Sequence, residues 1–338
     1  MKTIVLEKPG DFRLTDGPDP GSPAPSEALV RIRRVGVCGS DIHAYKGNQP
    51  FFTYPRVVGH ELGVEIAAVG PNEKGLAVGD RCAVEPYLHC GRCIACRRGK
   101  TNCCVNLQVL GVHADGGMRE FMTVPIAKLH RSRRLSLDQL ALVEMLTIGA
   151  HAARRAQLDP GENVLVIGAG PIGLATTTFA QLSGARVSVL EISTWRREFC
   201  RQHLKVDRCL DGQGDTGKQL QDLLDGDLPT TVFDATGSPK SMMQAVQYVA
   251  NGGKLVFVSL VQADLTFTDP ELHRRELTLL RSRNALAADF VWAMQMVEDG
   301  RINLGPWITH RAPADAMVGE FPSWLNPDRG VVKAVVEF

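Results

Sequence analysis

Asn163-Val164-Leu165-Val166-Ile167-Gly168-Ala169-Gly170-Pro171-Ile172-Gly173 decides the fold class of this 338-residue chain. The run up to Ile167 reads as a buried strand, and the segment from Ile172 to Leu182 carries a helical pattern. The turn between them has the form GxGxxG. Glycine at 168, 170 and 173 permits a tight turn and close approach to a pyrophosphate, whose oxygens the amides at the helix start, around Pro171 and Ile172, can hold. Glu191 follows Gly170 by 21 residues, just past the next strand-like run. Its carboxylate is suited to accept hydrogen bonds from the hydroxyls of an adenosine ribose. A phosphate on that ribose would meet it charge against charge, which favours NAD over NADP; nearby Arg196 and Arg197 pull the other way. Arg196 is also a candidate to cover the adenine or ribose edge. FAD would fit such a turn too, but would leave the metal-type residues below without a purpose.

Working outward, residues 187–190, 231–234, 254–258 and 277–280 repeat the alternation of buried strands with helical intervals. That rhythm requires helices on both faces of a mostly parallel sheet, a doubly wound α/β domain expected over 151–285. Residues 1–150 have another character: short β-favouring runs at 29–33, 63–70 and 81–84 separated by Gly and Pro, read as a β-rich domain with metal ligands on its loops. After Arg281 comes a helical pattern around 290–297 and a last strand-like run at 332–336. Residues 286–338 are expected to return to the first domain and complete it.

With 38 Lys and Arg against 37 Asp and Glu, the formal charge of +1 gives no long-range attraction to nucleic acid. No apolar run reaches the roughly 20 residues that span a bilayer, so no membrane partner is expected. The amino terminus enters Ile4-Val5-Leu6 without the pattern of a secretion signal. Four of the nine cysteines crowd into a metal-type pattern, and the expectation is a reducing cytoplasm.

Cys90, Cys93 and Cys96 form CxxCxxC, with Cys103 and Cys104 a short way on. Four thiolates enclose one tetrahedral zinc and leave no vacant position, which is a structural role. Either Cys103 or Cys104 can be the fourth ligand on this reading. An iron-sulfur cluster is the alternative, but its final spacing of three intervening residues and the following Pro are absent. A second constellation joins Cys38-Gly39-Ser40-Asp41-Ile42-His43 to Gly59-His60-Glu61. Cys38, His60 and Glu61 offer one sulfur, one nitrogen and one oxygen, the mixed set of a catalytic zinc that keeps room for water or substrate. Glu144 is an exchangeable fourth ligand or a group reaching the ion through its water. Zinc at one catalytic and one structural position is therefore the expectation.

The motifs CGSDIH at 38–43, GHE at 59–61, the four-cysteine loop, GAGPIG at 168–173 and DATG at 234–237 together resemble the zinc-containing medium-chain dehydrogenases and reductases over essentially the whole chain. The resemblance implies a GroES-like catalytic domain joined to a Rossmann domain, with Cys104 as the fourth structural ligand. It implies that Ser40 passes a proton through the cofactor ribose to His43 nearer solvent, that Thr236 and Val258 help line the cofactor, and that the protein is a homodimer or homotetramer. Adjacent His60 and Glu61 make the sorbitol, threonine and sugar-acid dehydrogenase branches more similar than the ethanol dehydrogenases. The family commonly has Pro after the glutamate matched by Glu144, whereas this chain has Met145.

The expected reaction is oxidation of a secondary hydroxyl of a small polyhydroxy acid, a hexonate such as L-galactonate, by NAD; a sorbitol-like polyol or L-threonine is the alternative. Arg283 is the candidate for the substrate carboxylate, because its planar fork makes two directed hydrogen bonds. Asn284, Tyr45, Gln49 and His113 are candidates to complete a polar pocket.

Overall fold

A computed structural model describes residues 1–338. The chain divides into two compact units: Met1–Met145 with Leu286–Phe338, and Leu146–Ala285. The first boundary lies inside a single helix, Leu137–Ala156. No turn signal marks it, and the sequence reading placed it five residues later (150 against 145).

In the first unit, the strands Ile308–Pro313, Lys333–Glu337, Glu27–Gly36, Glu61–Val69, Arg81–Val84 and Leu129–Arg131 lie side by side in that order, and Phe121–Pro125 also pairs with Glu27–Gly36. Ala28, Val30 and Ile32 are fully buried while Arg31 between them is exposed, the period-two alternation of a strand with one face on a core. The carboxy-terminal strand pairs antiparallel with Glu27–Gly36. Residues 332–336 thus close the sheet that the amino-terminal half begins. The Glu27–Gly36 and Glu61–Val69 strands pair with Gly36 opposite Glu61, a register that matters at the site.

In the second unit, six parallel strands run in the order Cys209–Asp211, Arg186–Glu191, Asn163–Ile167, Thr231–Asp234, Lys254–Phe257, Thr278–Arg281. By position in sequence this is 3-2-1-4-5-6, the Rossmann order, and ligands bind beyond the strand ends where the order reverses, between the first and fourth. All four residues of Thr231–Asp234 are buried, as a strand covered on both faces demands. The 254–258 run stops as a strand at Phe257; the Val258 amide still donates to Asp234 O at 2.9 Å.

Candidate active site and metal centres

The glycine turn leaves the Asn163–Ile167 strand at the reversal point. Gly168 adopts φ +93°, and a Cβ on Gly173 would stand 1.8 Å from the Gly168 carbonyl oxygen, so neither position tolerates a side chain. Gly170 caps the helix Pro171–Leu182, with Pro171 in its first turn. Glu191 Oε2 accepts the Ala169 amide at 2.7 Å and Oε1 accepts the Ser193 amide at 2.8 Å. The carboxylate is thereby fixed beside the turn. A cavity of about 650 Å³ opens here, lined by Gly168, Gly170, Glu191, Arg196 and Thr236 among others. Arg196 lies over the turn, one guanidinium nitrogen 3.3 Å from where a Gly170 Cβ would be, whereas Arg197 turns away to pair with Asp211 at 3.1 Å. Pro171, Ile172, Gly173 and Val258 shape the surrounding backbone without lining this cavity. Replacing Glu191 by Ala is expected to weaken NAD binding about 10- to 100-fold, the equivalent of hydrogen bonds to a charged acceptor. Fluorescence titration with NADH checks this, and an unchanged affinity would remove Glu191 from the ribose.

The donor atoms of Cys38, His60 and Glu61 lie within 4.8 Å of one another. Cys38 stands at the N-cap of the helix Gly39–Tyr45, whose Asp41 accepts the Cys38 amide at 2.9 Å and so fixes the thiol's position. His60 and Glu61 enter the next strand, and Gly36 opposite is what makes room: a Cβ there would come within 2.1 Å of Glu61 Oε2. His60 is 5 % exposed and Glu61 fully buried, yet His60 Nδ1 and Glu61 Oε2 have no hydrogen-bond partner. Burial first, then the nearby Glu61 charge, pushes the carboxyls of Asp41 and Glu144 above their ordinary range, although His60 pulls the other way. Orphaned donors and crowded negative charge are what a divalent cation satisfies, so the residues fit a zinc ion.

Two partners of this cluster escaped the sequence reading. Lys333, 2 % exposed, donates to Glu61 Oε1 at 2.7 Å and to Val37 O at 3.0 Å. Burial opposes its charge, but Glu61 and Cys38 hold Lys333 above its ordinary value. Tyr87, also buried, donates its hydroxyl to Glu144 Oε1. Glu144 itself is outside the three-donor group, on the unbroken helix Leu137–Ala156. Met145 supplies the amide that this helix interior needs and that a proline lacks.

The four-cysteine loop is equally compact: Cys90, Cys93, Cys96 and Cys104 bring their sulfurs within 4.8 Å of one another, and Cys103 is exposed. Amides of Cys90 and Asn106 point at Cys104 Sγ at 3.3 and 3.4 Å. The amides of Cys96 and Val105 pull the Cys93 thiol down to about 6, while burial and its neighbouring thiols push Cys96 up to about 12. Donors directed at sulfur favour thiolates, and four of them fit a closed zinc site.

The remaining candidates divide. Ser40 Oγ is buried without a hydrogen-bond partner, and His43 is exposed with Nδ1 2.9 Å from Asn48 Oδ1. Gln49 accepts the Phe51 amide at 3.1 Å, and Phe51 stacks on His113 at 5.9 Å, so these lie together. Tyr45 is half-buried, its ring packed between Phe12 and Phe321 at 5.4 and 5.0 Å, against the core of the first unit. Arg283 and Asn284 belong to the second unit, just beyond its last strand; Asn284 has φ +51°.

Comparison with known proteins agrees with both halves of this description. Residues 24–134 match the alcohol dehydrogenase GroES-like domain, and residues 171–299 match the zinc-binding dehydrogenase family. The chain is 40 % identical to L-galactonate-5-dehydrogenase of Escherichia coli K12 over 100 % of its own length and 99 % of that protein's. It is 30 % identical to 2-dehydro-3-deoxy-L-galactonate 5-dehydrogenase of Pseudoalteromonas atlantica, over 94 % of this chain and 93 % of the relative. Among solved structures, an alcohol dehydrogenase of E. coli CFT073 complexed with NADH superposes with a TM-score of 0.92 at 29 % identity, covering 100 % and 99 % of the two chains. No helix is long and apolar enough to cross a membrane. A GroES-like unit with an open three-donor cluster, a closed four-thiolate loop and a dinucleotide cavity make this chain a member of the zinc-containing medium-chain dehydrogenase family, an NAD- and zinc-dependent oxidoreductase.

Proposed function

We propose that this enzyme oxidises a secondary hydroxyl of a sugar acid, a hexonate such as L-galactonate, to the ketone while NAD is reduced to NADH. The observation that carries the reading is full-length similarity to two dehydrogenases that act at C5 of galactonate-type acids. The chemistry is consistent with it. A zinc ion held by Cys38, His60 and Glu61 supplies a fixed positive charge for the negative charge that develops on the reacting oxygen.

Around that charge the side chains divide the work. Ser40 Oγ, buried and without a protein hydrogen-bond partner, would take the substrate's hydroxyl proton while releasing its own by way of the cofactor ribose to His43, which is exposed one helix turn on and would pass it to solvent. NAD held in the cavity beside Glu191 would be the acceptor of the hydride, so that each turnover would yield one proton and one NADH. In the second unit Arg283 offers a two-pronged donor face suited to a carboxylate, with Asn284 next to it; in the first unit Gln49 and His113, brought together through Phe51, offer polar groups suited to hydroxyls.

NADH formation across L-galactonate, epimeric hexonates, sorbitol and L-threonine tests this. L-Galactonate is expected to exceed sorbitol by about 100-fold or more in kcat/KM, because a site built to pair a carboxylate leaves its donors unpaired with a neutral polyol. Efficient turnover of sorbitol or L-threonine with no hexonate oxidised would end the sugar-acid reading.

A further inference from the structure

The hydrogen bond from Tyr87 to Glu144 connects two side chains that are 2 % and 4 % exposed. The Tyr87 ring has little freedom to leave it. Its residue pairs with Val109 in a short two-stranded ribbon, and Phe290 packs edge-on against the ring at 6.3 Å and 69°. His130 stacks flat on the other partner, Phe290, at 4.8 Å and 12°, and is itself tied to Glu85 Oε2 at 3.1 Å. Glu144, on its long helix, feels the charges of His60 and Glu61 but stands outside their three-donor group. A carboxylate whose charge couples to that group can turn toward an ion there or stay on the phenol.

We propose that Tyr87 is a positioning residue whose hydroxyl holds the Glu144 carboxylate off the ion bound by Cys38, His60 and Glu61, keeping the fourth coordination position free for exchangeable ligands. The inference rests on the reading of those three residues as metal-holding. Its physical content is a partition. A hydrogen bond to a charged acceptor in a dry pocket biases Glu144 toward the phenol; without that bond Lys333 is already paired with Glu61, and an ion at the three-donor group is the positive charge left for Glu144 to join, giving four protein ligands. Phe at 87 preserves the ring and its contact with Phe290 while removing only the donor.

The test uses the full-length enzyme with cobalt(II) exchanged into the catalytic position and azide as the added ligand, read from the cobalt absorption bands. Y87F is expected to bind azide about 10- to 100-fold more weakly than the parent, and Y87F/E144A, which removes both buried partners, is expected to bind it as the parent does. E144A alone is expected to leave the bands of the azide-free protein unchanged, since Glu144 is not a ligand in the parent; this comparison stands even if Y87F does not fold. Unchanged azide affinity in Y87F, a loss that E144A fails to reverse, or altered bands in E144A would each overturn the role of Tyr87. Metal analysis separates the levels: a parent enzyme with cobalt excluded from Cys38, His60 and Glu61 overturns the metal reading and this inference together, whereas full occupancy with any of the three adverse results overturns only the inference.

Discussion

His60→Ala is expected to reduce the metal content from two ions per chain to one and to lower kcat/KM by about three to four orders of magnitude. The two clusters are built independently, one from Cys38, His60 and Glu61 and the other from the loop of Cys90 to Cys104, so losing a ligand in one leaves the other occupied. Removing the imaginable contribution of a fixed cation to the charge on the reacting oxygen is worth several kcal/mol, and about 5 kcal/mol corresponds to nearly four decades in rate. The NADH affinity belongs to the cavity beside Glu191 and should change little. Metal analysis, steady-state rates and NADH titration on one preparation check the three parts together. Retention of two ions with high activity would show that His60 is an ordinary buried histidine.

Lys333→Met has the second largest expected effect, on stability. Glu61 is fully buried, and Lys333 is its cationic neighbour at 2.7 Å. Breaking a buried pair by removing one partner costs about 3 to 5 kcal/mol, because a charge is left in a dry environment without compensation. The ion bound beside Glu61 supplies part of that compensation, so the loss should be larger in chelated protein than in zinc-replete protein. Lys333→Arg, which keeps the charge, should recover a large share of it. Denaturant unfolding with and without chelator checks the pattern; equal midpoints for Lys333→Met and the parent under both conditions would mean that the pair contributes nothing.

Why Lys333 was invisible in the sequence is instructive. Val332-Lys333-Ala334-Val335-Val336 reads as an apolar strand, in which a lone lysine is most simply the solvent-facing member. Only the pairing of that strand with Glu27–Gly36, and of Glu27–Gly36 with Glu61–Val69, sets Lys333 beneath Glu61, across 272 residues of sequence. A charge inside a run with no polar alternation was the available signal. Tyr87 was hidden for a similar reason, since Glu85-Pro86-Tyr87 reads as a turn and its partner Glu144 lies 57 residues away. The aromatic contacts of half-buried Tyr45 were equally illegible, since its ring meets Phe12 and Phe321 from distant parts of the chain.

What was legible has a common cause. The glycine turn is a local signal, because the backbone approach it allows is settled within a few residues, and its acidic partner Glu191 stands at the end of the very next strand. Cys90, Cys93 and Cys96 are legible for the same reason, and the structure selects Cys104 over exposed Cys103 as their fourth neighbour. The parallel, doubly wound sheet followed from the alternation of buried runs with helices, whereas the order of its strands emerges only from their pairing. The edge of the first unit at Met145 was not legible, because a continuous helix carries no punctuation.

The central claim is that an ion at Cys38, His60 and Glu61 is indispensable for dehydrogenation. The most direct measurement titrates zinc into metal-stripped protein and records bound zinc per chain and NADH formation from the best substrate in the same samples. Activity is expected to be absent while only the four-thiolate loop is filled and to rise in proportion to the second equivalent. Full activity at one zinc per chain, all of it held by Cys90, Cys93, Cys96 and Cys104, would contradict it.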